Sequence, residues 1–516
     1  MNIYTSKDMQ EIDRITIEEE GIPSLVLMEN AAKAVVKEIV SNFPASFLKN
    51  CLIVAGKGNN GGDGIAAGRI LRHLGFHPSI FVLDEFDNLS KDSKIQAEKY
   101  LGYGQIIFPS KENFWEELEI KLKTCDLVID AILGTGTKGK VSGKYEKAIL
   151  LINQSPAQRI SIDIPSGLSG DSFLPLGAAV YADLTVTLGG LKLPLSSPEC
   201  EKFCGRVVKV DIGLSQNAFK KIKPSAETID LNCVKSFFTD RDNFIHKGKL
   251  GHILIIAGGK GKLGAAILSA KGALRAGAGL VSVATPETLA AFVTTAIPEA
   301  MTLPLEQTEE GTLSKKSFEK IVRFSENIDA VAIGPGLSTN KETEELCRKL
   351  YKELKIPSVF DADGINAFEK YTSELNDFEG ERVLTPHPGE LGRILNLSPK
   401  EILKDRYSIV QTFCKEKEVT TVLKGYKTLV GNKSGFLRIN TSGGSYMAGP
   451  GMGDILTGII GALLARKIEP FEASSAGVFW HGLAAQMAFD QKGYGILASD
   501  VADFLPVAES LIRNGF

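Results

Sequence analysis

The sequence has no apolar run that approaches the ~18 residues needed to cross a bilayer. It also lacks an excess of one charge, because 59 Lys and Arg stand against 62 Asp and Glu, a net charge of -3. A nearly neutral chain gives no electrostatic reason to expect nucleic acid or an anionic membrane as a partner. The first residues mix acids and bases without the basic-then-apolar order of a signal peptide. We therefore expect a cytoplasmic protein that binds neither nucleic acid nor membrane.

Cysteine is sparse and follows no pairing pattern. The seven cysteines are odd in number, scattered, and include no Cys-x-x-Cys motif, which indicates reduced and mostly buried thiols. Cys200 and Cys204 lie four residues apart, but no candidate partner ligands stand near them, so we expect no metal site there.

Two series of β-branched runs alternate with helical segments, which predicts two α/β domains with doubly wound, mainly parallel sheets. Residues 213–245 separate the series and carry Pro224 and little strand signal, so we place the domains at residues 1–224 and 225–516. In the second domain, Ser398, Pro399 and Glu401 predict the capped start of a helix. The predicted strands are CLIVA, SIFVL, CDLVID, RISIDIP, DLTVTL and VVKVDIG, then GHILIIAGG, LVSVATP, DAVAIGPG, PSVFDADG, RVLTPHPGE and VTTVLKG.

A glycine-rich turn, GKGNNGGDG, follows the first strand and opens a helix. Backbone amides and a helix N-terminus hold diphosphates at this place in Rossmann-like domains, so we expect a nucleotide ligand. Gly56, Gly58 and Gly61 also fit the GxGxxG pattern, and Asp84 lies where a ribose-binding acid would sit, so a nicotinamide dehydrogenase has to be considered. Against it, the carboxylate of Asp63 inside the turn would repel phosphate.

Two later strands of the first domain end in aspartate. Asp130 closes LVID and Asp163 closes ISID, and we expect both to point into the crevice at the carboxyl edge of the sheet. Each alone could simply cap the following turn. Together with the polar turn, they predict a site that binds a cation or positions a hydroxyl group.

The runs LMENAA, GKGNNGGDG, DAILGTGTKG and IDIPSGLSGD resemble the NAD(P)H-hydrate epimerase family over residues 1 to about 220. This resemblance implies that Asp163 is the acid–base residue. It also implies a potassium ion bound by Asn60, Asp130 and Ser166, whose oxygen atoms suit a hard cation. The implied hydrate-binding residues are Asn59, Asn60, Gly61, Gly62, Asp63, Gly134, Thr135, Gly136, Thr137, Lys138, Gly139, Lys140, Tyr145 and Asp163.

The second domain has its own glycine-rich turn, GGSYMAGPGMGD, which leads into an apolar segment of helical length. Free amides at a helix start can hold phosphates. Asp454 at this start could be an N-cap, a common role of aspartate. Alternatively, the Gly-x-Gly-Asp order places a carboxylate base beside an anion hole in ribokinase-like phosphotransferases, which predicts a ribokinase-like α/β domain and phosphoryl transfer.

Other strand-end loops of the second domain, at residues 333–337, 361–364 and 385–390, agree with such a site. His387 lies between two prolines and is as compatible with a turn histidine bonded by backbone as with a substrate contact. Lys424 follows a strand and could meet nucleotide phosphates, although exposed lysines usually only cover a solvated surface.

These loops, with HKGKLGHILIIAGG and GAAILSAKGALRAGAGLVSV, resemble the ADP- or ATP-dependent NAD(P)H-hydrate dehydratase family from about residue 230 to residue 516. The resemblance implies Asp454 as the base and Mg²⁺ with ADP or ATP. Relatives often carry Thr-Gly-Gly where this chain has Gly449-Pro450-Gly451, which removes a hydroxyl from the turn. The implied hydrate-binding residues are Gly336, His387, Pro388, Gly389, Glu390, Leu391, Gly392, Arg393 and Asp454. The implied nucleotide-binding residues are Lys424, Gly425, Tyr426, Lys427, Thr428, Gly444, Ser445, Tyr446, Met447, Ala448, Gly449, Pro450, Gly451, Met452 and Gly453.

The two resemblances together predict a bifunctional enzyme of nicotinamide nucleotide repair. One domain would interconvert the R and S forms of hydrated NADH and NADPH, and the other would dehydrate the S form at the expense of ADP or ATP through a phosphorylated intermediate. The alternatives are a ribokinase-like kinase of a small molecule, such as a vitamin precursor, and an N-terminal half that is a non-catalytic binding module. The resemblance also leads us to expect a homo-oligomer, such as a homotetramer.

Overall fold

The computed structural model describes residues 1–239 and 247–515. The chain divides into two compact units, Met1–Ala226 and Glu227–Phe516. This division falls two residues after the boundary that we placed at 224/225. His246, the first residue of the HKGKLGHILIIAGG run, lies outside the described residues. No helix in the described part of the chain is long and apolar enough to cross a membrane.

The N-terminal unit is built on a seven-stranded parallel sheet. The described strands of this unit, of which β1 and β8 do not belong to that sheet, are β1 (Asn2–Tyr4), β2 (Cys51–Ala55), β3 (Ser79–Val82), β4 (Ile106–Ile107), β5 (Leu127–Ala131), β6 (Gln158–Ile162), β7 (Leu184–Leu188), β8 (Leu191–Lys192) and β9 (Arg206–Val210). The strand order is β4-β3-β2-β5-β6-β7-β9, and β1 pairs separately with β8. Because the order reverses between β2 and β5, a crevice is expected at their carboxyl ends.

Helices cover both faces of this sheet. They are α1 (Ser6–Arg14), α2 (Ser24–Asn42), α3 (Ala45–Lys49), α4 (Asn59–His73), α5 (Lys91–Leu101), α6 (Phe114–Thr124), α7 (Gly143–Gln154), α8 (Leu193–Ser196), α9 (Glu201–Cys204) and α10 (Gln216–Lys221). Alternate residues of β2 enter two different cores, because successive side chains of a strand point to opposite faces. Ile53 packs in the core that includes α2 and α4, whereas Leu52 packs in the core that includes α6 and α7.

The C-terminal unit contains a longer sheet. Its strands are β10 (Ala226–Ile229), β11 (His252–Ile256), β12 (Leu280–Pro286), β13 (Met301–Leu305), β14 (Ala330–Ile333), β15 (Ser358–Phe360), β16 (Arg382–Leu384), β17 (Thr420–Leu423), β18 (Leu429–Gly431) and β19 (Leu437–Asn440). The order is β13-β12-β11-β14-β15-β16-β17-β18-β19-β10. Pairs are parallel from β13 to β17 and antiparallel from β17 to β19. A second reversal of order lies between β11 and β14.

The helices of this unit pack around one large core. They are α11 (Leu231–Val234), α12 (Leu263–Arg275), α13 (Glu287–Ala296), α14 (Phe318–Ser325), α15 (Lys341–Glu353), α16 (Asp363–Asn366), α17 (Pro388–Leu395), α18 (Pro399–Lys404), α19 (Arg406–Lys417), α20 (Met452–Ala465), α21 (Pro470–Lys492) and α22 (Ala498–Asn514). The apolar α20 is almost wholly buried, in contact with α12 and with β14.

The two mainly parallel α/β domains are confirmed, and so is the capping box that starts α18 at Ser398. All seven cysteines are free, and six are buried. The expectation of little strand in residues 213–245 is wrong, because β10 lies there and takes its place beside β19 in the second sheet.

Candidate functional site

A cavity of about 550 Å³ opens where the strand order of the N-terminal sheet reverses. Its walls come from α1, from the turn after β2, from the loop after β5 and from the ends of β6 and β7. The predicted residues that line it are Asn59, Asn60, Asp63, Gly134, Thr135, Gly136, Thr137, Tyr145 and Asp163. The predicted residues that do not line it are Gly61, Gly62, Lys138, Gly139, Lys140, Asp130 and Ser166.

The glycines of the GxGxxG pattern are explained by close backbone packing. A Cβ on Gly61 would lie 1.9 Å from the carbonyl oxygen of Gly56, and a Cβ on Gly56 would lie 2.0 Å from that of Ile132. No side chain fits either place. Asp84 is buried and accepts hydrogen bonds of 2.7 Å from Lys144 Nζ and Tyr145 Oη, so it is not available to a ribose. The occupied carboxylate of Asp84 argues against the dehydrogenase interpretation, whereas the glycine packing is compatible with it.

Asp163 forms a buried ion pair that the sequence did not predict. Its Oδ1 accepts hydrogen bonds from Lys192 Nζ and from the backbone amide of Leu188 at 3.1 Å. Lys192 is 2% exposed, and its ammonium also donates to Thr187 Oγ1 at 3.1 Å and to the Leu188 carbonyl at 2.7 Å. The ammonium thus has three acceptors. Lys192 escaped prediction because it belongs to β8, a two-residue strand with no pattern of its own.

The backbone of Asp163 is left-handed, with φ of +67°. Non-glycine residues rarely adopt this conformation, and such residues concentrate at functional sites. The turn ends β6 and carries the carboxylate into the cavity rather than along the strand. The position of Asp163 at the crevice, predicted from its place at the end of ISID, is therefore confirmed.

Two more carboxyl groups line the cavity near Asp163. Burial raises the pKa of Asp13 to about 6, with Lys192 lowering and Asp163 raising it. Burial raises the pKa of Asp63 well above its usual range, and the charges of Asp163 and Asp13 raise it further. Asp13 was not predicted, since it lies on α1 away from every glycine-rich turn.

Asp130 does not point into the crevice, so that expectation is wrong. It is fully buried and accepts hydrogen bonds from the amide of Ile132, from the hydroxyl of Ser161 and from both the amide and the hydroxyl of Ser166. Burial raises the pKa of Asp130, and these donors offset only part of that rise. Four donors from β6 and the adjacent loops hold the carboxylate beneath the cavity wall.

Asn60 is the link between this buried cluster and the cavity. Its amide nitrogen donates to the Leu133 carbonyl at 3.1 Å, and the Ser166 hydroxyl lies 3.2 Å from the same carbonyl. The Asn60 Oδ1 is buried and has no hydrogen-bond donor among the described residues. A buried oxygen without a donor is costly unless a ligand satisfies it.

In the C-terminal unit, Asp361 is the centre of a buried polar network at the end of β15. It is 1% exposed and accepts from Thr385 Oγ1 at 2.8 Å, from Thr457 Oγ1 at 2.7 Å and from Lys424 Nζ. Lys424 Nζ also lies 3.8 Å from Glu390 Oε2. Lys424 is therefore not the solvated surface lysine that we considered, because two carboxylates hold it at the site.

Asp454 lies beside this network but is not the N-cap of its helix. Gly451 holds the N-cap position of α20 with φ of +84°, and Asp454 is the third helical residue. No described residue forms a hydrogen bond with the Asp454 carboxyl group. Burial and the charge of Asp361 raise its pKa to about 7, with Lys424 lowering it. A general base works best with a pKa near the working pH, so the structure favours the base over the cap.

His387 is the N-cap of α17. Its Nδ1 accepts hydrogen bonds from the backbone amides of Gly389 and Glu390 at 2.9 and 3.3 Å. The Glu390 carboxylate completes a capping box by accepting from the His387 amide at 2.7 Å. The bonded turn histidine is thus present. Half of its side chain is exposed, and its Nε2 lies 3.4 Å from Glu390 Oε1.

A second carboxylate, Asp363, organises the opposite side of this site. It accepts from the Ser338 amide at 2.7 Å and from Asn366 Nδ2 at 3.2 Å. Asn366 Oδ1 in turn accepts from Arg393 Nη2 at 2.8 Å. Ala362, between the two aspartates, has an unusual backbone with φ of +48° and ψ of -118°. The DADG loop at residues 361–364 was predicted to lie at the site. Its hydrogen bonds to Ser338 and Asn366 were not predicted.

The predicted nucleotide-binding loops form separate short structures. Ser445–Met447 is a single 3-10 turn in which Tyr446 stacks on Phe489 with ring centroids 4.5 Å apart. In the other loop, Thr428 Oγ1 donates to the Gly425 carbonyl at 2.8 Å. Tyr426 is about half exposed, which is compatible both with contact to a planar ligand and with a surface position. The role of these loops stays a prediction.

Two α/β domains, each with a network of buried carboxylates at the carboxyl edge of its sheet, define a two-site α/β enzyme. A family model described as NAD(P)H-hydrate dehydratase matches residues 253–507, and one described as YjeF-related protein N-terminus matches residues 24–193.

Relatives match over the whole chain. A bifunctional NAD(P)H-hydrate repair enzyme Nnr from Moorella thermoacetica is 35% identical over 100% of this chain and 97% of its own length. One from Thermofilum pendens is 33% identical over 100% and 98%. A crystal structure of an ADP/ATP-dependent NAD(P)H-hydrate dehydratase from Bacillus subtilis, co-crystallised with ATP and Mg²⁺, is 28% identical, covers 56% of this chain and 99% of its own, and gives a TM-score of 0.48. The chain belongs to the family of bifunctional NAD(P)H-hydrate repair enzymes.

Proposed function

We propose that the N-terminal domain interconverts the R and S forms of hydrated NADH and NADPH, and that the C-terminal domain dehydrates the S form with ADP or ATP. The observation that carries this proposal is the presence of both carboxylate sites on one chain that matches bifunctional repair enzymes from end to end. An epimerase beside a dehydratase is useful because the first supplies the form that the second consumes.

In the C-terminal site, Asp454 would take the proton of the hydrate's hydroxyl group. The hydroxyl oxygen then attacks the terminal phosphoryl group of the nucleotide, whose shortened product leaves. The phosphate ester is a better leaving group than hydroxide: the ring nitrogen's lone pair expels it as phosphate, and loss of a proton from the neighbouring carbon restores the reduced nicotinamide. Lys424, fixed by Asp361 and Glu390, supplies positive charge near the transferred group.

Magnesium would offset the negative charge of the nucleotide phosphates. In the described part of the chain, no group of three or more His, Cys, Asp or Glu side chains is arranged to hold a metal ion. We therefore propose that magnesium enters with the nucleotide rather than through a prepared site of protein carboxylates.

In the N-terminal site, Asp163 would be the acid–base residue, and the Lys192 ammonium fixes its orientation. One observation supports potassium binding by Asn60: its Oδ1 is a buried acceptor without a donor among the described residues, and such an oxygen suits a hard cation. Asp130 would contribute negative charge. The Ser166 hydroxyl is already shared between Asp130 and the Leu133 backbone, so its part is to orient Asp130.

The dehydratase assignment is tested with Asp454→Asn in the full chain. We expect loss of nucleotide-dependent recovery of the reduced nicotinamide by ~10²–10⁴-fold, because the base is gone, while nucleotide binding changes little. Asp503→Asn is the matched control. Asp503 lies on α22, is exposed, and forms an ion pair with Arg275 of α12. Retained turnover in Asp454→Asn contradicts the assignment. A stable phosphorylated product from the wild type supports the kinase alternative instead.

The homo-oligomer, the cytoplasmic location and the lack of nucleic-acid and membrane partners stay predictions. We propose a homo-oligomer from the family resemblance alone. Light scattering of the purified chain measures its mass directly, and a mass near 55.6 kDa would contradict the proposal.

A further inference from the structure

The N-terminal cavity holds more acid–base groups than a single catalytic aspartate requires. Asp13 from α1, Asp63 from α4 and Asp163 from the end of β6 all line it, together with Lys192. Asp163 and Lys192 form a buried ion pair with each other. Asp13 has no hydrogen bond to any residue that the structure describes, so its carboxyl group is free to meet a ligand in the cavity.

Epimerisation of a hydrated nicotinamide ring makes proton demands on both faces of the ring. When the hydroxyl leaves, the carbon–oxygen bond breaks with its electron pair on oxygen, which needs a proton, and the ring nitrogen's lone pair forms a carbon–nitrogen double bond. When water returns to the opposite face, it attacks this carbon and gives a proton to a base. A single carboxyl group beside one face is out of reach of the oxygen on the other.

We propose that Asp13 is the second proton-transfer residue of the epimerase, acting on the ring face opposite Asp163. This inference rests on the epimerase function proposed above. In one direction Asp13 donates a proton to the leaving hydroxyl while Asp163 accepts one from the entering water. In the other direction the two exchange roles, so the pair ends each turnover with one proton between them and is reset by exchange with solvent.

The groups that face Asp13 make it suitable for this role. Asp63 on α4, Asp163 after β6 and Lys192 on β8 are its charged neighbours in the cavity. Burial raises the pKa of Asp13 to about 6, so it can both hold and release a proton near neutral pH. Asp63 differs in its environment, because it is fully buried and the charges of Asp163 and Asp13 add to the effect of burial in raising its pKa. Two carboxyl groups in unequal environments are a common basis for acid and base roles at one site.

The test uses Asp13→Asn in the full chain, without nucleotide, so that dehydration does not contribute. Interconversion of the separated R and S hydrates is followed by chromatography, and incorporation of oxygen from ¹⁸O-labelled water reports the broken carbon–oxygen bond. We expect both rates to fall by ~10²–10⁴-fold. Nucleotide-dependent dehydration of the S form by the same variant should be unchanged, which shows that the chain is folded.

Glu11→Gln is the matched control, because Glu11 lies on the exposed side of the same helix, paired with Arg14, and loses the same charge. Asp13→Glu keeps a carboxyl group and should retain clearly more epimerase activity than Asp13→Asn. As the pH rises through about 6, Asp13 loses the proton that it donates in one direction and becomes the base that it must be in the other. The resulting change of activity with pH should be present in the wild type and absent from Asp13→Asn.

Two results overturn the inference: wild-type epimerisation with an unchanged pH profile in Asp13→Asn, or equal losses in the Asn and Glu variants, which indicate a structural role. Failure of the proposed function looks different. In that case the wild type itself does not interconvert the hydrates, whereas a failure of this inference leaves the wild type active.

Discussion

Asp454→Asn should make the C-terminal domain more stable at the same time as it removes dehydratase activity. In the folded protein, burial beside Asp361 raises the pKa of Asp454 from 3.8 to about 7. Each pKa unit corresponds to about 1.36 kcal/mol. Keeping this carboxylate ionised in the folded state therefore costs about 4 kcal/mol above pH 7, and an amide of the same shape avoids that cost.

The sign of the pH dependence follows from the order of ionisation. Below pH 3.8 the carboxyl group is protonated in both the folded and the unfolded chain, so stability is at its full value there. As the pH rises from 3.8 to about 7, the unfolded chain ionises first and stability is lost. The gain from Asp454→Asn should thus be about 1 kcal/mol or less at pH 4.5 and about 4 kcal/mol at pH 8.

Differential scanning calorimetry of the full chain at both pH values measures this difference. The transition of the C-terminal domain is recognised by its shift when ATP and magnesium are added. At pH 8 we expect it to rise on the order of 10 °C in Asp454→Asn, with the N-terminal transition and the Asp503→Asn control unchanged. A variant that is no more stable than the wild type at pH 8, or a gain that does not depend on pH, would refute the reasoning.

Three further predictions concern the N-terminal domain. Asp163→Ala should abolish epimerisation and leave dehydration intact, so that a mixture of both hydrate epimers is repaired only until the S form is consumed; normal epimerisation rules out the assignment. Lys192→Met leaves a buried carboxylate without its partner and should lower the free energy of unfolding of this domain by about 3–5 kcal/mol in denaturant titrations; an unaltered midpoint contradicts the buried pair. The wild type should epimerise faster in a potassium salt than in a choline salt, and Asn60→Ala should remove this difference. A variant that still responds to potassium argues against Asn60 as a ligand.

The fold was largely predictable because buried parallel strands and the helices between them are periodic over many residues. The strands that escaped prediction are short or lie at the sheet edges. β8 has two residues, and β10 has four, in a segment that we expected to hold little strand; it lies beside β19 in the second sheet. Such strands are determined by tertiary pairing, which leaves little signal in the local sequence.

The candidate sites were predictable where a strand end or a glycine-rich turn marks them. Asp163 and Asp454 are of this kind. Lys192 and Asp13 were missed because each stands outside any motif and reaches the cavity only through the packing of other elements. Asp130 shows the opposite error: its position at a strand end was correctly noticed, but four donors from β6 and the adjacent loops hold it away from the crevice.

The central claim is that two sites on this chain act in series on hydrated nicotinamide nucleotides. The most direct test incubates the purified protein with both hydrate epimers, potassium, magnesium and either ADP or ATP. The absorbance of the reduced nicotinamide is followed over time. We predict complete recovery with at least one nucleotide. A halt when one epimer is exhausted contradicts the epimerase, and no recovery with either nucleotide contradicts the repair function as a whole.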